Sequence, residues 1–272
     1  MSLPRPTPTG TPVSRRRLFS GLAAGTGLAA LAAAGAGVPA LASGDTPSAD
    51  TLAGLAAGSS ELPPSSRAAG LGTILDYAAD VPAAAAVADA GYQGVIRYVS
   101  QRRPGAEWMK GKPLQRSEAD AMRAAGLTVV SCYQYGKAAT ADWLGGFPAG
   151  VDHARQALAL HAAAGGPATA PIYASIDDNP TQTQLVTQVA PFLLGWISVL
   201  GPGRVGVYGN APTISFASSL GLASWFWQHG WGTPAGYTHP RAHLRQERVQ
   251  KTVDGITVDL NTVLNPQYGQ CV

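Results

Sequence analysis

The chain has 272 residues, with 19 Lys and Arg against 16 Asp and Glu and a formal net charge of +3. Four of those cations, Arg5, Arg15, Arg16 and Arg17, fall in the first 42 residues, which hold no acid, so the remainder carries a net charge of −1. With no Lys/Arg run left, that remainder lacks the electrostatic footprint that polyphosphate binding needs, which excludes nucleic acid and an anionic membrane surface as partners.

The segment Ser14-Arg15-Arg16-Arg17-Leu18-Phe19 has the pattern of a twin-arginine export signal, and an Ala/Gly/Leu-rich stretch follows from about Gly21 to Leu41. Ala40-Leu41-Ala42 supplies the small-x-small pattern of a signal peptidase site, so cleavage is expected after Ala42, with the product extracellular or associated with the cell envelope. Left uncleaved, the stretch is long enough to span a bilayer, although its Ala and Gly content makes it weakly apolar; a membrane contact is expected only through this segment. Residues 43–69 are rich in Ala, Gly, Ser and Pro without apolar periodicity and read as a flexible linker. Residues 70–272 then form one domain with a full core.

From Thr73 onward, short β-rich runs alternate with Ala-rich helical stretches, the pattern of parallel strands joined by crossover helices. Eight runs are expected as strands: Thr73 to Ala78, Gly94 to Val99, Thr128 to Tyr135, Pro171 to Asp177, Arg204 to Gly209, Ser224 to His229, Ala242 to Glu247 and Gly255 to Leu260. Helices are expected over Pro82 to Ala90, Ser117 to Ala125 with Ser117 as N-cap, Val151 to Ala164, Thr181 to Leu200 broken at Pro191, and Ala211 to Leu220. The fold class is α/β, a closed (β/α)8 TIM-type barrel, irregular in its last third, where the connections are too short or too rich in Gly and Pro for helices.

Two cysteines, Cys132 and Cys271, do not make a disulfide scaffold, and whether they pair stays open. The five histidines are scattered and no metal-binding spacing occurs, so neither a metal nor a cofactor is expected.

Barrel enzymes carry their chemistry at the C-terminal ends of the strands. Those ends place Asp76, Asp177 and Asp259 at one mouth with Tyr98, Tyr135, Asn179, Tyr208, Trp227, Gln246 and Asn261. Cleaving a glycosidic bond needs a proton donor for the leaving oxygen and a second carboxylate to activate water or to stabilise positive charge, so the three acids are the candidate catalytic residues. Aromatic rings stack on sugar faces while amides and phenols bond their hydroxyls, which makes the other seven candidate glycan contacts. Each acid closes an apolar run, where an unpaired charge is costly; Arg97 on the neighbouring strand is a candidate partner for Asp76.

The close of the chain, LRQERVQKTVDGITVDLNTV from Leu244 to Val263, resembles the glycoside-hydrolase-like barrels related to family-25 lysozymes, especially the twin-arginine-exported actinobacterial type. ILDYA at Ile74 and VGVYGN at Val205 resemble the strands of that group carrying the first Asp and the groove Tyr. The resemblance implies site roles for Asp76, Tyr208, Gln246, Asp259 and Asn261, and an exported hydrolase acting on cell-wall or envelope polysaccharide such as a peptidoglycan-type glycan. Family lysozymes end the fourth strand with Asp-x-Glu. Here YASIDDNP places Asn179 at the second acid, and an amide cannot donate a proton as a general acid. Glu107, Glu118 and Glu247 are the few glutamates that could replace it. The alternative is a non-catalytic glycan-binding domain on the same scaffold.

Overall fold

The computed structural model describes residues 62–66 and 69–271. The export signal, its cleavage point and most of the linker lie outside the described residues. Within the stretch read as linker, residues 62–66 run beside the loop at Tyr237 and Thr238. Tyr237 Oη donates to Pro63 O at 2.7 Å, and Ser66 N donates to Thr238 O at 2.7 Å.

All eight expected strands form: β1 Gly72–Asp76, β2 Gly94–Tyr98, β3 Thr128–Tyr133, β4 Ile172–Ser175, β5 Val205–Gly209, β6 Trp225–Gln228, β7 Leu244–Val253 and β8 Ile256–Val263. They are hydrogen-bonded in sequence and β8 returns to β1, which closes the barrel. The pairings from β1 through β7 are parallel. The last strand differs from expectation, since β8 runs antiparallel to both β7 and β1. The cause is the tight turn at Asp254 and Gly255, whose φ values of 52° and 74° both lie in the left-handed region favoured by two-residue hairpins. This hairpin makes β7 longer than expected and carries it past the level of Asp76, where β1 ends. Asp254 Oδ2 then accepts from Ala83 N at 2.9 Å, just ahead of the first helix, and so pins the hairpin tip.

The helices are α1 Ala84–Asp89, α2 Arg116–Ala124, α3 Gly146–Ala163, α4 Gln182–Leu200 and α5 Ala211–Ser219. Gln115, and not Ser117, is the N-cap of α2. The break expected at Pro191 does not occur, because the backbone widens into π-type turns over Leu185–Val189 and continues helical from Ala190. Helix α4 is long and apolar enough to cross a membrane, yet it buries Phe192, Leu193 and Trp196 in the domain core. It crosses α3 at Gly150 and Gly195, where a Cβ would lie 2.1 Å from Phe192 O and 2.5 Å from Phe147 O.

Side-chain alternation divides the core into two layers. Ile74, Ile96, Val130, Cys132, Tyr173, Tyr208, Trp227, Leu244 and Val263 fill the barrel. Leu75, Val95, Val129, Ile172, Val207 and Phe226 face outward and pack with the helices. At the lower end a short strand, β9 Gln270–Cys271, pairs with the start of β3 and brings Tyr268 into the inner layer, where its carbonyl accepts from Tyr173 Oη at 2.9 Å. The two thiols are free and stand on opposite faces of this wall. Cys132 faces the interior, whereas Cys271 lies against Ser131, whose hydroxyl reaches His161 of α3.

Candidate active site

The upper end of the barrel assembles two groups of acids. On the β1 side, Asp76 and Asp259 face each other across the antiparallel pair. Asp76 is buried, and its Oδ2 accepts from Asn261 Nδ2 at 2.8 Å and Gln246 Nε2 at 3.1 Å. Both amides are themselves held from below. Trp227 Nε1 donates to Asn261 Oδ1 at 2.8 Å, and Tyr208 Oη donates to Gln246 Oε1 at 2.6 Å. Burial, followed by repulsion from Asp259, pushes the Asp76 carboxyl up to about 7 in spite of the two amide donors. Asp259 is half-buried and accepts from Gln250 Nε2 at 2.9 Å.

On the β4 side, Asp177 Oδ2 accepts from Gln134 Nε2 at 2.9 Å and pairs with Lys137 Nζ at 2.8 Å, while its buried Oδ1 has no partner. Asp177, Asp178, Asn179, Lys137, Ala138 and Trp231 line an open cleft of about 390 Å³. Tyr98 and Tyr208 join the two groups: burial and then the charges of Asp76, Asp177 and Asp259 hold both phenols well above their ordinary value. The ring of Tyr98 also lies 4.0 Å beneath Lys112 Nζ, which donates to Gln134 O at 2.8 Å and is pushed down to about 8 by burial.

Several sequence expectations need correction. Arg97 does not serve Asp76: strand alternation turns it outward, where it pairs with Glu118, whose Oε1 also accepts from Tyr77 Oη at 3.0 Å. Glu118 is thereby spent on structure. Glu247 pairs with Arg245 at 2.8 Å, and Glu107 accepts from Gly105 N in its own loop, so the candidate replacement glutamates are all engaged elsewhere. Tyr135 is not brought into the mouth; it packs against the outer core with its ring centroid 6.4 Å from that of His153. Tyr208 and Trp227 are buried beneath the acids, which leaves them positioning the amides. Asn179 Oδ1 accepts from Asn210 Nδ2 at 2.7 Å, and Asn210 in turn caps α5 by accepting from Thr213 N at 2.8 Å. Strand β4 ends at Ser175, and Asp178, beyond that end, lines the cleft.

Sequence reasoning missed Lys137, Gln134 and Trp231. Trp231 is 43% exposed and stacks on buried His229, with centroids 4.2 Å apart and planes at 18°. Its loop is fixed on all sides: Arg248 donates to Gly230 O, and Thr233 Oγ1 donates to His229 O at 2.8 Å. At Gly232, with φ of 69°, a Cβ would fall 2.5 Å from Asn179 Oδ1. The dense aromatic run Trp225-Phe226-Trp227-Gln228-His229-Gly230-Trp231 was the available signal.

The chain is similar to several known proteins. The family described as Rv2525c-like, glycoside hydrolase-like domain matches residues 85–263. The Mycobacterium tuberculosis protein named "Putative peptidoglycan hydrolase Rv2525c" is 57% identical over 218 residues, which cover 80% of this chain and 90% of the relative. The crystal structure of the Tat-secreted M. tuberculosis protein Rv2525c with L-tartrate matches with a TM-score of 0.73 at 59% identity, covering 74% of this chain and 98% of that one. An uncharacterized B. stearothermophilus protein, 18% identical with a TM-score of 0.51 over 70% of this chain and 95% of its own, shares the fold. With the twin-arginine motif at Ser14 to Phe19 and a Tat-secreted relative, the chain is exported by that pathway.

Proposed function

Because the chain belongs to the Rv2525c-like, glycoside hydrolase-like family, we propose that it hydrolyses a glycosidic bond in a cell-wall or envelope polysaccharide, with peptidoglycan the first candidate. The membership bears out the resemblance read between Leu244 and Val263. The name of the mycobacterial relative supports peptidoglycan as the polymer, and export supplies access to it.

The observation that carries the reading is Asp76, a buried carboxyl that keeps its proton to about pH 7 directly opposite a second carboxylate. Glycoside hydrolysis needs such a division, one acid that holds a proton and another that does not. Asp76, with Asp259 opposite it, is the proton-holding acid. Asp177, oriented through Oδ2 by Gln134 and Lys137 at the edge of the open cleft, is the second carboxylate, placed to activate water or to stabilise the developing positive charge. Below them, Tyr208 and Trp227 lock the two amides so that Asp76 cannot rotate away.

Reducing ends released from peptidoglycan and from arabinogalactan-type polymers test the assignment. The wild-type protein releases them, and Asp76→Asn lowers the rate by roughly two to four orders of magnitude. An unchanged rate in Asp76→Asn removes Asp76 from the chemistry. One observation favours a second reading, glycan binding without turnover: the position of the expected proton donor is an amide tied to Asn210. Heat of binding without sugar release would establish that reading instead.

A further inference from the structure

Asp177 owes both of its donors to the segment that leaves β3. Gln134 and Lys137, which meet its Oδ2, stand just beyond the end of that strand, with Tyr135 and Gly136 between them. Those two intervening residues have their amides tied down. Asp142, buried, accepts from Tyr135 N through Oδ2 at 2.8 Å and from Gly136 N through Oδ1 at 2.7 Å. A carboxylate accepts with both oxygens, whereas an amide in its place offers one acceptor and one mismatched donor. His153 of α3 braces Asp142 from behind: its Nε2 lies 3.6 Å from Oδ1, and its Nδ1 shares a hydrogen bond with Tyr133 Oη at 2.8 Å. Other contacts limit the movement left to the segment. Gln134 O accepts from Lys112 Nζ at 2.8 Å and Ser100 Oγ at 2.7 Å, and Thr140 Oγ1 donates to Lys137 O at 3.0 Å. At Gly136 a Cβ would fall 1.7 Å from Thr140 O, so the loop closes on itself there. Ala138 is held at φ of 53°, a left-handed conformation that a non-glycine residue keeps where its surroundings enforce it.

Resting on the hydrolase reading above, we infer that Asp142 is a positioning residue for Asp177. By holding the amides of Tyr135 and Gly136, it keeps the side chains that flank them, Gln134 and Lys137, on Asp177 Oδ2. The need for such a device follows from exposure. The Lys137 side chain is 54% exposed and that of Asp177 10%. An ammonium so open to water gains little from a pair while losing rotamer freedom, and it stays in place when its backbone is already fixed. Gln134 is held in the same way, since its backbone carbonyl is bonded on one side and the next two amides on the other. Asp142 therefore acts through the loop and leaves the reacting atoms to Asp177.

Side-chain amide signals in heteronuclear NMR of the full chain test this. Gln134 Nε2 donates to Asp177, whereas Gln246 Nε2 and Asn261 Nδ2 donate to Asp76, so the first is the probe and the other two are controls. Asp177→Ala marks where the Gln134 signal falls without its acceptor. Asp142→Ala is expected to move that signal toward the same place while the Gln246 and Asn261 signals stay. Asp142→Asn, which keeps one acceptor, moves it part of the way and carries the test should the alanine variant fail to fold. In sugar release from peptidoglycan, Asp142→Ala lowers kcat roughly tenfold to a hundredfold with KM within about twofold, because what is lost is the orientation of Asp177. A Gln134 signal that stays put in the variants overturns the inference, as does an equal shift of Gln246 and Asn261, the mark of general loosening. A raised KM with unchanged kcat overturns it too. If the wild type releases no sugar, the hydrolase reading fails and the Gln134 signal alone decides the role of Asp142.

Discussion

The two sides of the barrel mouth use the same residue types to opposite ends. On the β1 side, Asp76 is sealed under Asp259 and held by Asn261 and Gln246, so solvent is excluded and the carboxyl keeps its proton. On the β4 side, Asp177 borders an open cleft and is met by a lysine. Each side also has an indole, Trp227 buried under the first and Trp231 standing free over the second. Burial, more than residue identity, decides whether an acid stores a proton and whether a tryptophan is core or platform.

The two tryptophans give the largest contrast. Trp227→Ala empties a fully packed site and orphans Asn261 Oδ1, so a loss of roughly 3–5 kcal/mol is expected in denaturant unfolding. Trp231→Ala should cost below about 1 kcal/mol, since a half-exposed ring loses its stack on His229 and an edge contact with Tyr208, while glycan affinity falls roughly tenfold. Equal stability losses in the two variants would break the division into core and platform.

Asp76 gives a smaller effect that depends on pH. Its folded value of about 7 lies above the ordinary 3.8, so the folded state binds the proton more tightly than the unfolded chain does. The folded state therefore loses stability as pH rises from about 4 to 7 and bears the full penalty above that range. Asp76→Asn can still accept from both amides but cannot ionise. Its stability relative to wild type should rise by about 4 kcal/mol between pH 4 and pH 8. The neutral buried His229 and His239, both pushed down to about 4, act with the opposite sign, losing stability as pH falls from 6.5 toward 4. Because wild type and variant share them, the difference isolates Asp76. A flat difference across this range would place Asp76 among ordinary surface carboxylates.

How far these sites could be read from the chain follows from strand alternation. The eight strands were legible because strands covered on both faces read as apolar runs, and Asp76, Gln246 and Asn261 because they close or interrupt those runs. The direction of β8 was not read, although Asp254-Gly255 is the dipeptide of a two-residue hairpin and both residues take positive φ. Alternation from Ile96 and Cys132 would also have turned Arg97 and Tyr135 outward and Gln134 inward. Lys137 and Trp231 stand on loops beyond the strand ends, where periodicity carries no information. Their positions depend on tertiary contacts with Asp142, Arg248 and His229.

The smallest expected effect concerns Asn179, which stands where the pattern read in the sequence has its second acid. Restoring the acid, Asn179→Asp, would give back the Asp-x-acid spacing, but the surroundings differ from those of a proton donor. Position 179 is exposed, and its side-chain oxygen accepts from Asn210 Nδ2. Water and an amide donor both stabilise the charged form of a carboxylate. An aspartate there would give up its proton well below neutral pH and would have none to donate. Sugar release by Asn179→Asp should therefore stay within about twofold of wild type, since general acid catalysis requires a group still protonated at the working pH. An increase of tenfold or more would move the proton donor from the sealed side of the mouth to the open one, and the contrast between the two sides would have to be redrawn around β4.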